Sequence, residues 1–161
     1  MVFQKVTFER LFPVVRHRMG TFFGFEFDNK RYFDIAVPGS GKKKIEQGMT
    51  VVALLEKPNG WEMKGLMGWV DCSDGSITCD SSVELLCMAL ISGFSAVVFS
   101  IRAYKLYGNS QTAAIIVGSM FTVFLLRFLY LSIRAKLIKN ALISVRDIIF
   151  NKDLKIGGSG G

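Results

Sequence analysis

One histidine, three cysteines and three prolines are found in 161 residues. Each scarcity excludes something. A lone histidine, His17, leaves almost nothing from which to build a catalytic triad, and no G-x-S-x-G stands in the chain. The cysteines, Cys72, Cys79 and Cys87, form no even-numbered framework of a disulfide-stapled secreted domain. Cys72 and Cys79 are not spaced C-x-x-C, and His17 is far from both in sequence, so no metal site is expected. Cys87 reads as a small apolar filler. Few prolines and no repeat exclude collagen-like and low-complexity classes. The first twenty residues also lack a long apolar run. Lys5, Glu9, Arg10, Arg16 and Arg18 interrupt every stretch, so no cleaved secretory signal is expected.

Apolar material is abundant. Half of the chain is hydrophobic, 14 residues are Phe, and the formal net charge is +7. Mean hydropathy is +0.36. This supplies plenty to bury and excludes intrinsic disorder. A soluble domain of this size is rarely both so apolar and so basic, which implies that the apolar residues are concentrated in one part.

Residues 1–80 read as a small β domain. Phe22 to Phe27 and Arg31 to Val37 flank the turn Asp28-Asn29-Lys30, a hairpin signature. Met49 to Lys57 is the strongest strand. Pro58-Asn59-Gly60 turns it, and Trp61 to Val70 returns, with Gly65 and Gly68 marking a bulge or bend. Asp74-Gly75 turns the chain once more, into Ser76 to Asp80. Five or six such strands predict an antiparallel barrel-like domain of SH3 or OB size. Residues 7–19 read as an irregular strand and loop, which Pro13 favours. The alternative is a basic amphipathic helix carrying Phe8, Leu11, Phe12, Val15 and Met19.

The second half predicts a transmembrane hairpin. Residues 83–104 and 112–133 are two spans of the required ~20 apolar residues, joined by a short loop at 105–111. Eighty residues of β domain could not cover two helices that are apolar all round. Residues 134–151 form an amphipathic helix. Leu137, Ile138, Ala141, Leu142, Val145, Ile148 and Ile149 make one stripe; Lys136, Lys139, Asn140, Ser144, Arg146 and Asp147 occupy the other face. Its stripe lies on lipid, on the β domain or on a partner. Residues 157–161, Gly-Gly-Ser-Gly-Gly, read as a linker left by a fusion or tag. The fold class expected is thus an α+β membrane protein.

The membrane-surface basic residues Arg134, Lys136, Lys139 and Arg146 outweigh Arg102 and Lys105 of the loop, placing both termini in the cytoplasm, by preference at a bacterial inner membrane. In that compartment Cys72 and Cys79 are thiols; if they paired, the orientation would be wrong. Arg127 lies inside the second span. It snorkels, or it forms an intramembrane ion pair with Glu84 or a partner group. Ala89, Gly93, Ser92, Ala96 and Ser100, with Ala114 and Gly118, carry the small-residue spacing of close helix packing.

Other motifs fail on inspection. Pro38-Gly39-Ser40-Gly41-Lys42 lacks the first Gly and the final Ser or Thr of a phosphate loop. Asp71, Asp74 and Gly75 would put Val70 at the first ligand position of a calcium loop. Membrane-side placement accounts for most of the basic excess, so no nucleic-acid partner, no cofactor and no enzymatic activity is expected. The expected role is that of a non-catalytic accessory or immunity-type protein. Its β domain would recruit or regulate a partner, while the hairpin anchors in lipid and oligomerises or meets another membrane protein. The alternative is an oligomer that conducts ions or perturbs the membrane, gated by the β domain.

Overall fold

The computed structural model describes residues 1–17, 20–39, 45–61, 65–106 and 108–156. The failed phosphate-loop motif from Ser40 onward and the C-terminal Gly/Ser segment lie outside these residues. The chain divides into two compact units, Met1–Asp80 with Leu137–Gly161, and Ser81–Lys136.

Among its described residues the first unit holds eight strands: β1 (Val2–Thr7), β2 (Arg10–Leu11), β3 (Val15–His17), β4 (Gly20–Phe27), β5 (Lys30–Val37), β6 (Thr50–Leu55), β7 (Leu66–Asp71) and β8 (Ile77–Cys79). All pairings are antiparallel. One sheet runs β1-β6-β7-β8; in the other, β4 pairs with β2, β3 and β5. The β4–β5 hairpin turns at Asp28 and Asn29 with φ of 51° and 56°. Paired positive φ suits the right-handed twist of the flanking strands, and Asp and Asn tolerate it best after Gly. Residues 7–17 are extended, not helical, so the amphipathic-helix alternative falls. Strand pairing to β4 takes Arg10–Leu11 and Val15–His17, and Phe8 is fully buried.

Both sheets feed one core. Val6 and Phe8, Phe23 and Phe25 of β4, Ile35 and Val37 of β5, Val51, Ala53 and Leu55 of β6, and Trp61 and Trp69 form a single buried cluster. Phe8 lies 5.3 Å, 4.8 Å and 6.2 Å, centroid to centroid, from Phe23, Phe25 and Trp69. These tilted and edge-on contacts suit the aromatic quadrupole. Trp61, expected in a strand, precedes β7. Its ring is buried and its Nε1 donates to Gln4 Oε1 at 3.3 Å.

The second unit contains α1 (Ser82–Lys105) and the first part of α2 (Asn109–Ile156), which is one continuous helix. Ser81 caps α1: in an extended conformation, its hydroxyl accepts from the Glu84 amide at 3.3 Å. That satisfies one of the orphan donors at a helix start. Both helices are long and apolar enough to cross a membrane. The 24 residues of α1 rise about 36 Å, more than a hydrocarbon core of about 30 Å.

Candidate functional site

Three features carry functional content: the outer face of the β1-β6-β7-β8 sheet, an open cleft beside it, and the exterior and seam of the helical pair.

β7 is buried at all six positions. A strand covered on one face alternates; one covered on both does not. The inner cover is the aromatic core. The outer cover is the C-terminal part of α2. Leu54, Met67 and Val70 form a second buried cluster with Ile138 and Leu142, and Ile77 and Cys79 pack against it. The register explains the extra apolar residue. Leu55 pairs with Leu66 while Leu54 pairs with Gly68, so Met67 is the unpaired residue of a bulge. Gly68 opens the seat for Leu142. A Cβ there would lie 2.8 Å from Leu142 Cδ1 and 2.7 Å from the Thr78 carbonyl oxygen. Further along, Phe150 and the Arg146 stem approach the Gly75 turn. The stripe on α2 is therefore turned toward the β domain at Ile138 and Leu142, while Leu137 and Ile148 are exposed. Of the basic residues assigned to a membrane surface, Lys136 and Lys139 are exposed and Arg134 is half-buried and engaged. Arg146 is half-buried and pairs with Asp147 at 2.9 Å.

A cleft of about 590 Å³ opens between residues 46–49 and 69–78. Among the described residues its walls carry Glu46, Asp71 and Asp74. Asp71 and Asp74 serve the turns. Asp71 Oδ1 accepts from the Ser73 amide at 2.8 Å and hydroxyl at 2.7 Å, and Asp74 Oδ1 accepts from the Ser76 amide at 2.7 Å. These are local Asx turns.

Neither Cys72 nor Cys79 is in a disulfide. Cys79 pairs with Gly68, and Cys72 follows Asp71 at the other end of β7, so they stand roughly 10 Å or more apart along the sheet. Disulfides need a Cα separation below about 7 Å. The two cannot bridge on either side of a membrane, so their state does not report orientation. Burial pushes the Cys72 thiol above its usual pKa. Nearby Lys5 opposes this and Asp71 adds to it.

The helical pair is built with its small residues inside. On α1, Ala89, Ser92 and Ala96 are buried and Gly93 is half-buried; on α2, Ala114 and Gly118 are buried. A Cβ on Gly93 would meet Leu125 at 3.4 Å, and one on Gly118 would meet Phe99 at 3.5 Å and the Ser100 hydroxyl at 3.8 Å. Phe99 stacks on Phe121 at 5.6 Å, and Ser132 Oγ donates to the Ser82 carbonyl at 2.9 Å. Gly93 and Gly118 thus each face the neighbouring helix of the hairpin. Large apolar side chains point outward instead: Leu90, Ile91 and Phe94 of α1 and Ile116, Val123 and Leu126 of α2 are all more than half exposed. The hydroxyls of Ser92, Ser95, Ser100, Ser119 and Thr122 donate to carbonyls one turn back.

Arg127 is exposed and makes no hydrogen bond or ion pair among the described residues. Glu84 sits in the capped first turn of α1 and is engaged. The S-x-x-E spacing of Ser81 and Glu84 is a capping signal that accounts for an acid at this position without Arg127. Arg127→Leu is accordingly expected to insert as well as the parent or better, since an arginine at a span centre costs roughly 2.5–3.5 kcal/mol on insertion scales. Coupling to Glu84→Gln in a double-mutant cycle on inserted fraction is expected near zero. A large loss from Arg127→Leu would reveal a partner for the guanidinium.

Comparison with protein-family models, with curated proteins and with solved structures finds no match.

Proposed function

We propose that the chain is a non-catalytic membrane protein. Its two apolar helices anchor it as a hairpin, with both termini in the cytoplasm, and its β domain recruits or regulates a partner there. The observation that carries this reading is the outward display of large apolar side chains on both helices. In water, contiguous apolar patches beyond a few hundred Å² are rare on monomers; in lipid they cost nothing. The hydroxyls bonded within their own helices support the same reading, because lipid offers them no other partner. The two-sheet domain with one shared core suits a closed, barrel-like scaffold, and its acid-walled cleft offers a partner a concave surface. The approach of Leu125 to Gly93 and of Phe99 to Gly118 within the helix pair supports anchoring over a conducting oligomer.

Fractionation tests the anchor. The chain is expected to stay with membranes through alkaline carbonate extraction; release into the soluble fraction would sink the reading. Mass determination of the complex in mild detergent then separates the roles: a stable homo-oligomer with a polar-lined axis would favour conduction. Topology is read with a membrane-impermeant thiol reagent. Cys72 is a poor reporter because burial disfavours its thiolate, so Lys30→Cys on the exposed β4–β5 turn takes its place. Asn109→Cys is expected to label from outside intact cells and Lys30→Cys only after lysis. The opposite pattern would invert the orientation.

A further inference from the structure

A cleft of about 480 Å³ lies along the C-terminal end of α1, lined by Val98, Ile101, Arg102, Lys105 and Leu106. Residues 98, 101, 102 and 105 are spaced i, i+3, i+4 and i+7, so they form a single stripe on one helix face. The stripe is graded. Val98 and Ile101 make its apolar part, and the two cations stand together at the helix end. Neither Arg102 nor Lys105 makes a hydrogen bond or ion pair among the described residues, and both are exposed. Tyr104, 88% exposed between them, is the residue type that gathers where hydrocarbon meets headgroups. Complementing the negative end of the helix dipole would engage such cations only in part. It would not account for an apolar cleft running away from them.

We propose that this cleft is a binding site for an anionic phospholipid. The acyl chain lies along Val98 and Ile101, and the phosphate is held between the Arg102 guanidinium and the Lys105 ammonium. Charge complementarity selects the headgroup; a guanidinium matches phosphate oxygens in pairs, and the ammonium adds a point charge. The apolar lining selects a lipid over a soluble phosphate. The proposal rests on the reading of α1 as a membrane span.

The test uses the full chain reconstituted into vesicles of phosphatidylcholine alone or mixed with phosphatidylglycerol, followed by extraction and a count of retained lipid by native mass spectrometry. The parent is expected to retain phosphatidylglycerol in preference to phosphatidylcholine. A cation near an anionic lipid surface is worth roughly fivefold in affinity, so the double variant Arg102→Gln, Lys105→Gln should lose roughly twenty- to thirtyfold of that preference. Val98→Phe, which fills the apolar part and keeps both charges, should lower retention of either lipid. Lys30→Gln with Lys57→Gln, two exposed cations of the β domain, should leave the preference unchanged. Circular dichroism confirms that the variants keep their helices. No preference in the parent, or an equal one in the double variant, would overturn the site while leaving the anchor intact. Displacement of the lipid by excess inorganic phosphate would overturn it too, by placing recognition in the phosphate alone. Failure to float with either kind of vesicle would remove the anchor and this site together.

Discussion

Gly68→Ala is expected to destabilise the β domain, while Gly118→Ala, the same substitution in α2, is expected to be tolerated or stabilising. The contrast follows from what each new methyl would meet. At Gly68 it would stand 2.7 Å from the Thr78 carbonyl oxygen, 2.8 Å from Leu142 Cδ1 and 3.1 Å from Cys79 Cβ. Two of these are a backbone atom and a first side-chain carbon of the adjacent strand, which cannot swing away. Overpacking of this kind costs typically about 1–3 kcal/mol. Relief requires the β7–β8 ladder to open or Leu142 to leave its seat. At Gly118 the nearest atom is 3.5 Å away, an ordinary contact, and the helix gains the propensity difference of about 1 kcal/mol between Gly and Ala. Urea unfolding in detergent, followed by tryptophan fluorescence, reports the first effect through Trp61 and Trp69, both in the β-domain core. An unchanged midpoint for Gly68→Ala would mean that Leu142 does not sit against β7.

The second large effect belongs to the other half of that contact. Leu142 is fully buried among Leu54, Met67 and Val70. Leu142→Ala should cost about 2–5 kcal/mol through lost transfer energy and the cavity left behind. Leu142→Asp should cost more, because no cation or donor among the described residues of that cluster compensates a carboxylate. Asn140 is exposed on the opposite face, and Asn140→Asp should stay within about 0.5 kcal/mol. Limited proteolysis reads the difference directly. With Leu142→Asp, the helix beyond Lys136 should become cleavable at Lys139 and Arg146 while the parent and Asn140→Asp resist. Equal resistance of all three would show that the stripe is not a buried face.

Much of the architecture was legible because each signal was local. Asp28-Asn29 fixes a hairpin through its own backbone preference, and two runs of apolar residues reveal long helices through length alone. The start of β7 was not legible. Trp61 to Val70 reads as one apolar run, yet Trp61 serves the core from outside any strand. Period-two counting also fails where a bulge inserts Met67 and where both faces are covered, since the run is then continuous. Gly68 was read as a sign of backbone distortion, which it is, but its function as a seat depends on Leu142, far away in sequence. The amphipathic stripe of residues 137–149 announced a buried face without naming its cover. Periodicity records that a face is hidden, not by what. Spacing marks small residues on both helices, of which Gly93 and Gly118 face the neighbouring helix; the graded stripe from Val98 to Lys105 is equally visible, but Arg102 and Lys105 read in the sequence only as charges for orientation.

The seating of Leu142 on Gly68 also has a timetable. The two residues are 74 positions apart in the chain. A ribosome adding roughly 5–20 residues per second delivers Leu142 about 4–15 s after Gly68. The β strands are complete by Cys79, and the two most water-averse segments of the chain follow before the cover arrives. During those seconds Leu54, Met67 and Val70 form an unprotected apolar sheet surface on a nascent chain. The helix that carries Leu142 thus closes a sheet made before it, and the interval between them leaves open a sticky face that the folded protein hides.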